Sequence, residues 1–204
     1  MRTASGKAVR FVSPSAADPY YEVHLYDTGC VATRQENWHD FFNALVWLAY
    51  PKTKAAINAL HARQIPLENG RRGRLRDMLT IFDEGGAIVL CADEELNSMI
   101  REFRWRELFW DCRERLLRSM QFVVVGHAVL EKALEPWPGI ACKALFTGVD
   151  DNADSCAAQW LTAHASPQEL APLPVFGYPG WLPASNRAEF YSDTRYFRPF
   201  KHEK

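Results

Sequence analysis

Asp77–Ala92, "DMLTIFDEGGAIVLCA", sets two apolar runs on either side of Asp83-Glu84-Gly85-Gly86. Acidic residues and paired glycines between apolar runs are the pattern of a β-hairpin. On that reading Asp77 opens the first strand, and Asp83 and Glu84 close it. The remaining chain then has to supply helices that pack on this sheet.

Upstream, "ENGRRGRLR" (68–76) is a basic glycine loop. "PKTKAAINALHARQI" (51–65) reads as a helix that Pro51 begins, with Ala55, Ala56, Ala59 and Leu60 on its apolar side. Asn37 looks like the N-cap of another helix, Trp38–Ala49, with Asp40 in its first turn facing the positive end of the dipole. Before it, "AVRFV", "YYEVHLYD" and "CVATR" are β-type runs, separated by the turn-rich "SPSAADP" and by Thr28-Gly29. Downstream, Asp93 caps a helix starting "EELNSMIREF", and "RWRELFWDCRERLLRSM" is amphipathic and helical. Gln121–Val125 fits a buried strand and His127–Leu134 a helix. "ACKALFTGV" is a candidate strand and "SCAAQWLTAHA" a helix.

From Ser166 the chain is punctuated by prolines yet carries Phe176, Tyr178, Trp181, Phe190, Tyr191, Tyr196 and Phe197. So many rings are expected to be buried against the body. Helices and hairpins without a repeating βαβ rhythm predict an α+β fold. The expected organisation is a single domain of helices packed on small antiparallel β-hairpin sheets. Residues 1–165 form its body, and 166–204 a tail wrapping it.

The sequence has 204 residues and a formal net charge of −1, so it is no polycation built for nucleic acid. No uncharged apolar run approaches the length of a membrane span, and the N-terminus lacks the apolar core of a secretory signal. The five cysteines are scattered, with no C-x-x-C pair, as expected of reduced thiols in a cytoplasmic protein.

Two pairs of residues point to chemistry. His39 and Asn43 share a helix face, as do His127 and Glu131, each at i and i+4. A histidine near a helix N-terminus tends to stay neutral, the form that a metal ligand or general base requires. A carboxylate one turn away can fix an imidazole tautomer or share a metal. From Lys52 through Arg76, seven basic side chains accompany one acid, Glu68. Arginine forks suit phosphate or carboxylate. Solvated pairing of those arginines with Asp77, Asp83 or Glu84 is the plain alternative. His24, His61, His164 and His202 stand in surface-like contexts and receive no role. P-loop, G-x-S-x-G, H-E-x-x-H and G-x-G-x-x-G motifs are absent.

Several stretches together, among them "NWHDFFNALVWLAYPKTKAAIN", "RRGRLRDMLTIFDE", "GHAVLEKAL", "LPVFGYPGW" and "FYSDTRYFRPF", resemble an uncharacterised proteobacterial family with a domain-of-unknown-function label (family 3025). The resemblance covers about Tyr21 to Pro199. It implies a single-domain soluble bacterial protein, and no activity, cofactor or site residue.

The residues themselves favour a metal-assisted hydrolase acting on a phosphate ester. His39, His127, Glu131 and Asp77 are its candidate catalytic groups. His39, His127 and Asp83 are candidate ligands of a divalent metal, and Arg72, Arg76, Lys54 and Lys143 candidate phosphate contacts. The competing readings are a non-catalytic module for nucleic acid, a nucleotide or a partner protein, gripping through Trp105 or Trp110 and the arginines, and a polar core secured by the two histidines.

Overall fold

Leu75, Met78, Leu79 and Phe82 recur at helical spacing, and that period overrides the hairpin pattern. In the computed structural model, which describes residues 1–15, 20–148 and 152–200, Arg74–Gly85 is a helix. It buries Met78, Leu79 and Phe82. The expected first hairpin strand is therefore absent. Asp83 and Glu84 lie in the last turn of the helix, and a strand begins directly at Gly86.

The elements in order are β1 (Arg10–Val12), α1 (Tyr21–Thr28), β2 (Cys30–Ala32), α2 (Trp38–Ala49), α3 (Pro51–Gln64), α4 (Arg74–Gly85), β3 (Gly86–Cys91) and α5 (Glu94–Arg101). There follow α6 (Arg113–Ser119), β4 (Met120–Val124), α7 (His127–Lys132), β5 (Cys142–Thr147), α8 (Ala153–Ala163) and β6 (Ala171–Leu173). Short 3-10 turns carry most of the tail. The class is α+β. The expected strand "YYEVHLYD" is instead α1, because its apparent alternation is outweighed by a helix stop at Gly29. That glycine takes φ 77° and returns its N–H to Leu25 O at 2.8 Å. A Cβ there would also meet Ala8 O at 2.3 Å.

The main sheet has the order β4-β3-β5-β6. β3 runs antiparallel to β4 and parallel to β5, and β5 runs antiparallel to β6. Sheet neighbours are thus distant in the chain, and helices rather than tight turns connect them. β1 and β2 form a separate parallel pair. Alternation along β3 sorts the core. Ala87, Val89 and Cys91 face one cluster, with Leu96, Met99 and Phe109. Ile88 faces the other, where α3, α4 and α8 bring Ile57, Phe82 and Leu161.

The tail closes over the first of these clusters. Phe109 is fully buried, stacked near Trp105 and Tyr191 and edge-on to Phe122. Buried tail hydroxyls find partners: Tyr196 Oη donates to Ile140 O at 2.8 Å and accepts from Phe176 N at 2.9 Å. The Trp105 indole donates to Arg198 O at 2.8 Å. Phe109 is seated in a widened π-helical turn, Glu107–Asp111, ahead of α6. Replacing Phe109 with Ala is expected to cost about 3–5 kcal/mol of stability. Urea denaturation measures this, and a loss below about 1 kcal/mol would show that the tail is not anchored on this ring.

Candidate metal centre

Five helices converge on one cavity of about 440 Å³, on the α3–α4 side of the sheet. Its wall includes His39, Asn43, Lys54, Asn58, Glu84 and His127. The fold places each of these groups by ordinary local rules.

On α2, Asn37 caps the helix by accepting from Asp40 N at 2.9 Å. The Arg34 guanidinium grips the Asp40 carboxylate from two nitrogens, at 2.8 Å each. Those hydrogen bonds hold the Asp40 carboxyl below its ordinary range. With the helix start fixed, His39, Asn43 and Trp47 form its inner face, at i, i+4 and i+8. Trp38 and Leu45 point out, at 58% and 40% exposure.

His127 is the first residue of α7, and the turn before it is unusually close to α4. A Cβ on Gly126 would lie 2.6 Å from Gly86 N and 2.7 Å from Glu84 O. Without side chains the two segments touch, and Gly126 N donates to Gly86 O at 2.9 Å. The approach sets His127 Nδ1 2.7 Å from Asp83 O, one of the carbonyls left open where α4 ends.

The two imidazoles then meet. His127 Nε2 lies 3.0 Å from His39 Nε2, and His39 Nδ1 lies 3.0 Å from Glu131 Oε2. A carbonyl and a carboxylate only accept, so both Nδ1 atoms are donors. In the neutral rings both Nε2 lone pairs therefore point at each other. Burial pushes the His127 imidazole below the ordinary histidine range, with Lys54 and His39 adding to the shift and Asp83 opposing it. A carboxylate oxygen of Glu84 and one nitrogen from each ring all lie within 4.8 Å of one another.

Asp83, expected as a ligand, is committed elsewhere. Its carboxylate pairs with the buried Lys54 ammonium, and Oδ2 stands 3.9 Å from His127 Nδ1. Burial acts to raise the Asp83 carboxyl, but Lys54 and His127 outweigh it and hold it low. Its contribution to the pair is its backbone carbonyl, and the neighbouring Glu84 offers the carboxylate.

Asp77 does not enter the cavity. It forms an ion pair with Arg72 at 3.0 Å, and both side chains are more than two-fifths exposed. Arg76 pairs with Glu68 at 2.8 Å, and Glu68 also accepts from Gly73 N. The basic loop is thereby tied to acids of its own neighbourhood. Lys143 stands on β5 opposite Gly86 and Pro172, outside the cavity wall.

His61 was expected at the surface and is buried. Its Nδ1 accepts from Arg76 Nε at 3.3 Å, and burial with Arg76 pulls its pKa down to about 4. Lys54, Asn58 and His61 form a buried polar stripe on α3 at i, i+4 and i+7. That spacing was present in the sequence, beneath the more familiar alanine pattern. His164 stacks on Trp160, and His202 lies outside the described residues.

The α1 wall supplies Glu22, which accepts from Asn58 Nδ2 at 2.7 Å. The carboxyl lies deep in the molecule but keeps a surface on the cavity. Burial pushes its pKa up to about 7, against the pull of the Asn58 bond. Between about 4.5 and 7, folded Glu22 keeps a proton that the unfolded chain has lost. Its contribution to stability therefore falls as pH rises through that window. Glu22→Gln cannot ionise, so its stability relative to the wild type should climb across the window by on the order of 1–3 kcal/mol and level off above it. Urea denaturation at a series of pH values measures the difference. A constant offset between the two proteins would contradict it.

No helix among the described residues is long and apolar enough to cross a membrane. No curated protein matches the chain, and no solved structure does. A family model does match, over residues 9–201, a span that contains every cavity residue named above. The chain belongs to that family, described as "Protein of unknown function (DUF3025)".

Proposed function

We propose that this protein is a metal-dependent hydrolase with a divalent cation held by His39, His127 and Glu84. The observation that carries the reading is the pair of facing Nε2 atoms at 3.0 Å, each ring oriented by an acceptor at its far nitrogen. Two lone pairs at that distance repel unless a cation lies between them. Ligand nitrogens about 2.0–2.1 Å from one metal, at bond angles of 90–110°, stand roughly 2.9–3.4 Å apart. A carboxylate and a carbonyl behind the two imidazoles are the usual supports of metal-bound histidine.

Two imidazoles and one carboxylate leave coordination positions open for water, which a bound Zn²⁺ acidifies to a pKa of about 7. Glu131 on this reading positions His39 rather than touching substrate. Arg72 and Arg76 give a phosphate ester little support, because each is closed by an acid. The proposal is accordingly hydrolysis at the metal, with the reacting group polarised by the cation.

Calorimetric titration of chelator-treated protein with Zn²⁺ and Mn²⁺ tests the centre. One ion is expected per chain, and His39→Ala and His127→Ala should abolish the uptake. Glu131→Gln should weaken it about 10–100-fold. Circular dichroism and melting curves establish that the variants fold. A wild-type protein that takes up neither ion would refute the centre. Turnover of p-nitrophenyl acetate and p-nitrophenyl phosphate, with and without the ion, tests the reaction class. Metal-dependent turnover of either supports it, and an occupied centre inert toward both contradicts it.

A further inference from the structure

The cavity holds a second set of polar groups that the imidazole pair does not use. Asn58 is only 2% exposed. Its Nδ2 donates to Glu22 O at 2.8 Å and to Glu22 Oε2 at 2.7 Å. Those two acceptors fix the amide orientation, since a flip would set oxygen against oxygen. Asn58 Oδ1 is left enclosed with no hydrogen-bond partner. Asn43, one turn along α2 from His39, has an enclosed and unpartnered Oδ1 as well. Burying such an acceptor without a donor is costly.

Charge points the same way. Among the ionisable side chains of the wall, Arg34 pairs with Asp40 and Lys54 with Asp83. Glu84 stands beside the imidazoles. Glu22 is the remaining acid of the wall; no basic side chain among the described residues forms an ion pair with it, although the more distant Lys54 and Arg76 charges act on it. Above about pH 7, where Glu22 is ionised, neutral hydroxyls would satisfy the amide oxygens and leave the carboxylate without a paired cation. A phosphate would set its oxygens and charge against Glu22 and both amide oxygens, with the Trp47 indole N–H as the one unpartnered donor of the wall. An ammonium brings one positive charge and three N–H donors to one carboxylate and two amide oxygens.

We propose that Glu22, Asn43 and Asn58 form a subsite for a primary alkylammonium group, so that the small molecule taken into this cavity is an amine. The inference rests on the hydrolase reading only in making that amine the substrate. The subsite stands on groups that need no metal.

Calorimetry on the full chain, treated with chelator and held at pH 8, uses n-butylammonium and 1,4-diaminobutane as probes. n-Butanol, inorganic phosphate and Ca²⁺ serve as comparisons. Saturable binding of the alkylammonium probes is expected, with none for butanol or phosphate. Glu22→Gln should weaken it at least about 10-fold, as loss of a charge-assisted contact does. Asn43→Ala should weaken it while the melting temperature shows a folded protein. Failure of the wild type to bind either amine, equal binding by Glu22→Gln, or preference for Ca²⁺ would each overturn the subsite. The amine titrations contain no metal, and the Ca²⁺ comparison is made on His39→Ala, so these outcomes are independent of whether the imidazole pair takes up an ion.

Discussion

Gly126 lies against the α4–β3 junction only because it carries no side chain. The contact joins the sheet to two helices at one point. Gly86 O receives both Val125 N and Gly126 N, so β4 is held beside β3 as it ends and α7 must start there. The Asp83 carbonyl at the open end of α4 then meets the imidazole of His127. An unsatisfied helix carbonyl, a seat for a histidine and the direction of its second nitrogen all follow from one close backbone approach. α2 completes the geometry from the other side, its start pinned by Asn37 and by the Arg34–Asp40 pair.

What this produces is electrostatically unusual. Polar groups near the cavity are mostly compensated in pairs: Arg34 with Asp40, Lys54 with Asp83, Arg76 with Glu68. At the cavity, the facing imidazole nitrogens, the Glu22–Asn58 wall, Asn43 Oδ1 and the Trp47 indole N–H are left with incomplete compensation. Structural networks are normally satisfied, because buried and unpaired polar groups cost stability. Functional sites are where folds retain such debts. In the arginine loop, the most conspicuous charged feature of the sequence, Arg72 and Arg76 are by contrast paired with nearby acids.

The sequence made part of this legible. Asn37, Pro51 and Asp93 mark helix starts by local chemistry, and α2, α3 and α5 begin there. The spacings His39/Asn43 and His127/Glu131 select the faces that line or support the cavity, although nothing local tells that the two elements meet. The helix α4 is hidden in the sequence because "MLTIF" viewed without Leu75 reads as a short apolar run, and Asp-Glu-Gly-Gly ends a helix as readily as it turns a hairpin. On a strand end Asp83 and Glu84 look equivalent, whereas on a helix they point to different neighbours. His61 and Asn58 carry no local signal, because polar residues on an alanine-rich helix read as its solvent face, and the burial that makes them notable is tertiary.

The central claim is that the two Nε2 atoms face each other because a cation belongs between them. Crystals of protein loaded with Zn²⁺, with data collected on either side of the zinc absorption edge, address it directly. The account predicts one anomalous peak about 2.0–2.2 Å from both His39 Nε2 and His127 Nε2, with a Glu84 oxygen turned toward it. A loaded crystal with no peak at that position, and with the two nitrogens still at hydrogen-bond distance, would mean that a shared proton bridges them and would contradict the account.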